Sequence, residues 1–426
     1  MIKHFFKETK PAIQYIHHHK IIRKSFKELY DDIYKMIVLF QTKGLKPKDK
    51  VGLFVMPYTY AFYVVMYASF LYQLNLVVFD SYKKKHIKEL MALEKVGYCV
   101  VDSKTKMISS FILPKCKRIN VSSFTHYNAN YHLNLENSTD SIILTTFTSG
   151  TTGGPKTIHR TLDFLLKQAN EIQNEIDLQV VSFIFGGLPI YNVLSIYLLK
   201  TTCISRRIKS IQKFEPDCVL TNIQKICLEK RSYPSVKNLM LGGAILYSNE
   251  VKKIKEVFPN ATVTYVYGAS EGAIIYKTNL EEYQKQLFTF DTPAKEIKVF
   301  INEPDLYGIG EIVITGEKVN TKDHKHYTGD LGKLTDGRLT LVGRKKYSSI
   351  ENGFYNYAFD EQIRRENHCF AFSFYYKHQI YVVYTGKLKQ KKEGIKYIKR
   401  KLPMDLKHKT KLDYKVCINQ IIKKHL

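Results

Sequence analysis

The order of apolar and polar residues predicts alternating helices and strands along most of the chain. Residues 25–44 begin with Ser25, carry Glu28 three residues later, repeat apolar residues at helical spacing and stop at Gly44. We expect an amphipathic helix here, with a capping box at its first turn. The histidines at 17–19 lie between two short apolar runs, and we interpret them as a polar hairpin turn. Three adjacent histidines in regular structure cannot all face one metal ion.

Residues 51–79 contain no charged side chain, so their length alone would suit a membrane span. Polar residues and Pro57 interrupt this run, and the interruptions predict three elements: a strand at 51–56, a helix at 60–72 and a strand at 76–79. We therefore favour a β–α–β unit of a parallel sheet over a transmembrane helix. Near the C-terminal end, the pattern predicts strands at 370–375 and 379–384 and a helix at 393–401.

The bulk composition is that of a soluble globular protein. The 426 residues are 44% hydrophobic and 25% charged, which is enough material for one large domain and one small domain. The seven cysteines are scattered without C-x-x-C spacing, which suits a reducing compartment and excludes a zinc ribbon. The first 20 residues lack the apolar core of a secretory signal, so we expect a cytoplasmic location.

The formal net charge of +27 would suit anionic partners. However, the chain is rich in lysine, isoleucine, tyrosine and asparagine and has no tryptophan, so a bias in amino-acid usage explains much of the excess. We expect no nucleic-acid partner and no transmembrane span, and we leave peripheral membrane contact open.

The densest group of phosphate-binding residue types lies at 145–156, directly after an apolar run at 142–144. Glycines allow backbone N–H groups to turn inward as an anion-binding nest, hydroxyl groups add donors, and Lys156 adds a positive charge. A Walker A loop needs a glycine with a free N–H directly before its lysine, and Pro155 has none. This stretch is therefore a phosphate-binding loop of another kind, or a surface loop rich in serine, threonine and glycine.

The sequence TSGTTGGPK at 148–156 resembles the phosphate loop of the ANL adenylating superfamily, which includes acyl-CoA synthetases, peptide-synthetase adenylation domains and luciferases. Residues 267–271 are similar to the family's YGxTE motif, with serine for threonine, and 327–330 to its YTGD motif. The resemblance implies an α/β protein with two parts. These are a large multi-layer N-terminal domain at 1–345 and a small, mobile α+β C-terminal domain at 346–426.

The resemblance also implies a role for individual residues. Phosphate contacts are implied for the loop residues Thr148, Ser149, Gly150, Thr151, Thr152, Gly153 and Lys156. The other nucleotide contacts are Gly243, Ala244, Tyr267 and Gly268 at the adenine, Ser270 at the phosphate, and Asp330 and Arg344 at the ribose. Asp330 suits this role because one carboxylate can accept both ribose hydroxyls.

Chemistry and substrate binding are assigned in the same way. Catalytic roles are implied for Lys411, Thr151 and Glu271, with Glu271 also holding Mg²⁺, and Lys346 is the implied hinge. Lys407 and Lys409 are rivals to Lys411, because Lys409-Thr410 replaces the usual Ser-Gly. The implied substrate pocket contains Tyr191, Asn192 and Gly243.

The implied reaction is ATP- and Mg²⁺-dependent activation of a carboxylic acid, followed by transfer to a thiol. No acidic residue lies between Ser182 and Lys200 to hold a substrate ammonium group, so we expect a fatty or other apolar acid. The thiol is that of coenzyme A or of the phosphopantetheine on an acidic acyl carrier protein. The chain departs from the family pattern at the Ser-Gly before Lys411, at Lys48, which replaces a glycine, and in the hinge loop at Tyr347, Ser348, Ser349 and Asn356. These departures leave another alternative open, a degenerate relative that binds nucleotide or acyl chain without turnover.

Overall fold

A computed structural model describes residues 2–79, 83–133, 135, 138–149, 155–175, 180–184, 190–205, 207–269 and 271–400, together with Ile418 and Ile421. The chain divides into two compact units, Met1–Leu220 and Thr221–Leu426. The predicted domain boundary between Lys345 and Lys346 falls inside the second unit and stays a prediction.

The first unit contains a six-stranded sheet and a second group of strands. Its strands are β1 (Pro11–His17), β2 (Lys20–Ser25), β3 (Lys50–Phe54), β4 (Asn75–Val78), β5 (Tyr98–Val101), β6 (Lys117–Asn120), β7 (Ile142–Ser149), β8 (Pro155–Thr161), β9 (Val180–Ile184) and β10 (Thr201–Ile204), and β11 (Cys218–Thr221) ends at the boundary. Its helices are α1 (Phe26–Thr42), α2 (Tyr60–Leu71), α3 (Lys84–Leu93), α4 (Lys106–Ile112), α5 (Leu162–Glu175), α6 (Ile190–Tyr197) and α7 (Ile211–Phe214). Short 3₁₀ helices lie at Lys3–Lys7, Val121–His126 and Ile208–Ser210.

The six-stranded sheet has the order β6-β5-β3-β4-β7-β8 and is parallel except for the final hairpin of β7 and β8. In the other group, β9, β10 and β1 run parallel, and β1 and β2 form an antiparallel hairpin. The carboxyl ends of β3, β4, β5, β6 and β7 therefore lie at one edge of the larger sheet, which is where ligands bind in open α/β sheets.

The first helix begins as its sequence predicts. The Ser25 Oγ accepts a hydrogen bond from the Glu28 backbone N–H at 3.1 Å, and the Glu28 carboxylate accepts one from the Ser25 N–H at 2.8 Å. This capping box satisfies two backbone donors that the helix itself leaves unpaired. The histidine turn is also confirmed, since His18 and His19 join β1 to β2 with φ of 43° and 66°.

The uncharged stretch folds as β3, α2 and β4, with the two strands parallel and Val51 opposite Leu76. Helix α2 is apolar on all sides, and Tyr63 and Tyr67 within it are almost fully buried. Among the described residues, no helix has the length and apolarity needed to cross a bilayer. The β–α–β prediction is therefore confirmed.

The second unit is built from three groups of strands. The strands are β12 (Asn238–Gly242), β13 (Thr262–Ala269), β14 (Ala273–Asn279), β15 (Thr289–Phe290), β16 (Thr292–Pro293), β17 (Lys298–Asn302), β18 (Gly310–Thr315), β19 (Lys325–Thr335), β20 (Arg338–Arg344), β21 (Ala371–Tyr376), β22 (Gln379–Tyr384) and β23 (Ile395–Lys399). The helices are α8 (Ile223–Cys227), α9 (Ser248–Val257), α10 (Leu280–Lys285) and α11 (Asn356–Asn367).

Strands β12 and β13 are parallel, and β14 and β16 continue this group in antiparallel fashion. An antiparallel sheet has the order β15-β20-β19-β18-β17. A third sheet has the order β21-β22-β23.

One prediction for the C-terminal part is wrong. The strands near 370–375 and 379–384 are present as β21 and β22, but the helix expected at 393–401 is instead β23, parallel to β22. The side chains in β23 alternate between two apolar clusters. Ile395 and Tyr397 pack on one cluster and Ile398 packs on the other. Burial on both faces of a sheet therefore overrides the helical spacing of the lysines.

Gly52 in β3 offers a test of the packing in the larger sheet. A Cβ at this position would lie 2.7 Å from the Cys99 Sγ and 3.0 Å from the Phe79 Cζ, so alanine would force the buried neighbours to move. We expect Gly52→Ala to lower the free energy of unfolding by about 1–3 kcal/mol, measured by urea denaturation. Gly97→Ala is the matched control, because a Cβ at Gly97 meets no atom within 4 Å. Equal effects of the two substitutions would contradict this account.

Candidate active site

The predicted phosphate loop joins two paired strands at the carboxyl edge of the six-stranded sheet. Strand β7 runs parallel to β4 and then pairs with β8, where Thr148 lies opposite Lys156 and Ser149 opposite Pro155. Gly150, Thr151, Thr152 and Gly153 lie outside the described residues. The structure therefore gives Thr148, Ser149 and Lys156 their positions at the two strand ends that flank the loop.

Hydrogen bonds hold the base of this hairpin. The Thr145 Oγ1 donates to the Asn75 Oδ1 at 2.8 Å and lies 3.0 Å from the His159 Nδ1. The Arg160 Nη1 donates to the Thr146 Oγ1 at 2.6 Å. These contacts connect β7 to β4 and β8 through side chains and fix the strands that flank residues 150–154.

In the second unit, the predicted adenine contacts lie at the carboxyl ends of β12 and β13. The two strands are parallel, with Gly242 opposite Val266, so Gly243 and Ala244 leave the same edge that Tyr267 and Gly268 reach. Gly243 has a φ of 82°, which favours glycine. The Tyr265 hydroxyl donates to the Ala244 backbone oxygen at 2.7 Å and fixes the turn. The four predicted adenine contacts are thus brought to one edge.

The predicted ribose contact, Asp330, is buried and held by side chains from three other elements. The Tyr267 hydroxyl donates to Oδ2 at 2.9 Å, the Arg344 Nε lies 2.8 Å from Oδ1, and the Tyr357 hydroxyl is 3.5 Å from Oδ1. Asp330 and Arg344 are direct partners across β19 and β20. The structure therefore brings together Tyr267, Asp330 and Arg344, three residues that the sequence separates by 63 and 14 positions.

Burial and charge act in opposite directions on Asp330. Burial raises the pKa of the Asp330 carboxyl, whereas the Arg344 guanidinium and the hydrogen bond from Tyr267 lower it. The Asp330 carboxylate in turn raises the pKa of Arg344. The Asp330 side chain is 7% exposed and that of Arg344 is 51% exposed, so the pair has one buried and one solvent-facing member. The long contact from Tyr357 is the one that a ribose hydroxyl could replace most easily.

Glu271, the predicted magnesium ligand, lies just beyond β13 and is 8% exposed. Its Oε2 is 3.6 Å from the His326 Nε2, and its backbone oxygen accepts a hydrogen bond from the Asn320 N–H at 2.6 Å. A carboxylate fits Mg²⁺, which prefers oxygen ligands. No motif in the sequence indicated His326, because it reaches Glu271 from β19, a strand of a different sheet. Ser270 lies outside the described residues.

The predicted hinge residue, Lys346, is an exposed residue in the turn after β20. Around it, the Asn356 Oδ1 accepts hydrogen bonds from the Arg344 N–H at 2.9 Å and from the Ser348 Oγ at 3.1 Å. A Cβ on Gly343 would lie 2.6 Å from the same Oδ1, which explains the glycine. Ser348 and Asn356 depart from the family pattern, and here they bond to each other.

A buried charged network that the sequence did not reveal joins α9 and α11. The Asp360 carboxylate accepts hydrogen bonds from the Tyr247 hydroxyl at 3.1 Å and the Ser373 hydroxyl at 2.5 Å. Arg364 stacks 3.7 Å from the centre of the Tyr247 ring and pairs with Glu250 at 2.8 Å. Burial raises the pKa of the Asp360 carboxyl to about 7, although the Arg364 guanidinium and the two hydroxyl donors act to lower it.

The predicted substrate-pocket residues of the first unit lie on α6. Asn192 is completely buried and its Nδ2 donates to the Tyr63 hydroxyl at 2.8 Å, while its Oδ1 has no partner among the described residues. Burial raises the pKa of Tyr191 to about 12. The pocket assignment of Tyr191, Asn192 and Gly243 stays a prediction. Lys411, with its rivals Lys407 and Lys409, lies outside the described residues.

Comparison with known proteins identifies the class to which this fold and these motifs belong. The family model described as AMP-binding enzyme matches residues 6–321. The chain therefore belongs to the AMP-binding enzyme family, and the resemblance to the ANL superfamily is confirmed.

Individual relatives are distant in sequence. The 2-succinylbenzoate–CoA ligase of Staphylococcus epidermidis (strain ATCC 35984) is 26% identical over 260 residues, which is 54% of this chain and 54% of that protein. The D-alanine–D-alanyl carrier protein ligase of Bacillus cereus (strain G9842) is 25% identical over 260 residues, which is 51% of this chain and 50% of that protein. The chain thus spans about half the length of the curated relatives it matches.

Solved structures extend the likeness in fold over almost the whole chain. O-succinylbenzoate coenzyme A synthetase from Bacillus subtilis in complex with AMP superposes with a TM-score of 0.78 at 18% identity, covering 96% of each chain. The same enzyme in complex with ATP and a magnesium ion gives 0.77 at 18% identity, covering 94% of this chain and 95% of that one. The predicted α/β class is confirmed, with a large N-terminal part and a smaller C-terminal part.

Removing the Tyr267 hydroxyl tests the ribose site. Tyr267→Phe removes a donor from the buried Asp330 carboxylate, so we expect AMP to bind about fivefold more weakly in calorimetric titrations. Tyr276→Phe is the matched control, because Tyr276 lies opposite Tyr267 on β14 and its hydroxyl donates elsewhere, to the Gly337 oxygen at 3.0 Å. Equal affinity of the wild-type protein and Tyr267→Phe would argue against Asp330 as the ribose ligand.

The Asp360 network predicts a pH dependence of stability. The folded state holds the Asp360 proton up to a pKa of about 7, whereas the unfolded chain releases it near 3.8, so unfolding becomes easier as the pH rises between these values. The contribution is at most about 4 kcal/mol. Asp360→Asn, which stays neutral, should flatten the dependence of the melting temperature on pH over this window. Asp336→Asn, at an exposed turn, is the control. A slope unchanged by Asp360→Asn would contradict the assignment.

Proposed function

We propose that this protein uses ATP to activate a carboxylic acid and then transfers the acyl group to a thiol. In the first step the acid's carboxylate oxygen attacks the α-phosphorus of ATP, the bond to the β,γ-phosphates breaks, and acyl-adenylate and pyrophosphate form. In the second step a thiolate attacks the acyl carbon and AMP leaves. The observation that carries the proposal is the Asp330 carboxylate, held by Tyr267 and Arg344 in a chain of the AMP-binding enzyme family.

Each group has a part in the first step. Asp330 would fix the ribose through its hydroxyls, and the backbone at Gly243 and Ala244 with the Tyr267 ring would hold the adenine. The 148–156 loop would bind the phosphates, and Glu271 would supply an oxygen ligand to Mg²⁺. Lys411 would stabilise the charge that develops on the α-phosphate and the attacking carboxylate.

The substrate that best suits the chain is a carboxylic acid without an ammonium group, such as a fatty or other apolar acid. The stretch from Ser182 to Lys200 offers no carboxylate to an ammonium group, and α6 is apolar there. Coenzyme A is the thiol we favour, in line with the S. epidermidis ligase among the relatives. The D-alanyl carrier protein ligases among them support a second candidate, a carrier-protein phosphopantetheine.

Exchange of labelled pyrophosphate into ATP tests the proposal with a panel of fatty, aryl and amino acids. We expect exchange with one class of apolar acid, loss of exchange in Lys411→Ala, and continued thioester formation by Lys411→Ala from supplied acyl-adenylate. Lys387→Ala is the control, because Lys387 is an exposed lysine of the same C-terminal part. Stabilisation by ATP without exchange on any acid would identify a nucleotide-binding relative without turnover. Unchanged exchange in Lys411→Ala would reject that lysine as catalytic.

A further inference from the structure

Helix α4 buries a polar side chain and exposes two large apolar side chains. Its Ser109 is completely buried, with the hydroxyl donating to the Lys106 backbone oxygen at 2.6 Å. Met107 and Phe111, one turn apart on the opposite side, are each 72% exposed. A surface helix of a globular protein ordinarily turns such residues inward. Helix α4 therefore presents an apolar face to water.

Helices α3 and α4 are in contact, and two more of their apolar side chains are exposed. Ile108 is 45% exposed, and Leu93 at the end of α3 is 58% exposed. We name Leu93, Met107, Ile108 and Phe111 the apolar patch. The opposite sides of α3 and α4 are already packed, because Ile87, Leu90, Met91 and Leu113 belong to a core cluster with residues of β3, β4, β5 and β7. The apolar patch is thus additional to the apolar surface that the fold itself buries.

The stretch of chain that carries the apolar patch is strongly basic. Residues 83–118 contain ten lysines and arginines and three acidic residues. Two of the acids are occupied within the fold: the Glu94 carboxylate pairs with Lys50 at 2.7 Å, and the Asp102 carboxylate accepts the Met56 N–H at 2.7 Å. The exposed lysines of this region are Lys83, Lys84, Lys85, Lys88, Lys95, Lys104, Lys106, Lys115 and Lys117. The third acidic residue of this stretch, Glu89, is exposed.

From this combination we propose that the surface of α3 and α4 docks on an anionic lipid bilayer. Met107 and Phe111 enter the interface between headgroups and acyl chains, and the surrounding lysines contact the lipid phosphates. Protruding side chains on a helix suit a deformable bilayer, whereas an acidic protein would need a matching groove to cover them. Lysines suit this position because their aliphatic stems reach across apolar surface while the ammonium groups remain at the phosphates.

The exposed lysines of residues 83–118 differ from the general excess of lysine in what accompanies them. A bias in amino-acid usage raises the number of lysines everywhere, but it does not place exposed methionine and phenylalanine in a stretch that has nine exposed lysines and one exposed acidic residue. The inference does not depend on the proposed reaction, because none of these residues is assigned to nucleotide or acid binding.

Vesicle co-sedimentation tests the proposal, with vesicles of phosphatidylcholine alone or mixed with phosphatidylglycerol. We expect the protein to bind the mixed vesicles, to bind pure phosphatidylcholine at least about tenfold more weakly, and to be released by salt. Met107→Ser with Phe111→Ser should reduce binding at least about tenfold. Leu306→Ser with Tyr307→Ser is the matched control, because these residues are 101% and 79% exposed elsewhere on the surface.

A second pair of variants separates local charge from net charge. Lys104→Glu with Lys106→Glu should weaken binding to the mixed vesicles, whereas Lys322→Glu with Lys387→Glu changes the net charge equally and should leave it unchanged. Equal losses in the two pairs, or vesicle binding unaffected by Met107→Ser with Phe111→Ser, would overturn the proposal.

Light scattering in the absence of lipid supplies a further check. If the serine variants convert an oligomer to monomers, the apolar patch is a contact between copies of this chain and the proposal is wrong.

Discussion

The second unit depends on the burial of one negative charge. A carboxylate removed from water is costly unless hydrogen bonds and an opposite charge replace its hydration. Asp330 meets this condition with donors from β13, β20 and α11, so elements distant in sequence must lie together before the charge can be buried. The half-exposed Arg344 balances the charge from the solvent side. The same donors fix the position of the carboxylate that we propose as the ribose ligand.

The sequence predicted elements whose signals are local. The capping box at Ser25, the histidine turn and the β–α–β unit at 51–79 each depend on residues only a few positions apart, and each is present. The motif residues Tyr267, Asp330 and Arg344 were also predicted, because short motifs carry them. The contact of Asp330 with Arg344 follows from the pairing of β19 with β20, and its contact with Tyr267 follows from the packing of two separate sheets. No short window of sequence specifies either arrangement.

The wrong and missed predictions concern residues whose structure depends on contacts with distant parts of the chain. Residues 393–401 carry lysines at helical spacing, yet two apolar clusters on either side of a sheet determine a strand there. The sequence around Asp360 and Arg364 is typical of a charged helix on the surface. In the folded protein both side chains are buried, at 1% and 3% exposure. A charged residue in a helix is usually solvated, so the sequence could not separate these two from their exposed neighbours. His326 was missed for the same reason, since Glu271 reaches it only through the fold.

The region around the hinge bears on the choice between an active enzyme and a degenerate relative. Substitutions that accumulate without selection leave buried polar atoms without hydrogen-bond partners, and this lowers stability. Asn356 is 2% exposed, and its carbonyl oxygen accepts hydrogen bonds from the Arg344 N–H and the Ser348 hydroxyl. The two departures from the family pattern therefore compensate each other and hold the backbone of the residue that binds Asp330. This coupling links the altered hinge loop to the backbone of Arg344, beside the predicted ribose contact. It favours a chain in which the loop has changed together with its partner over one in which the motif has decayed.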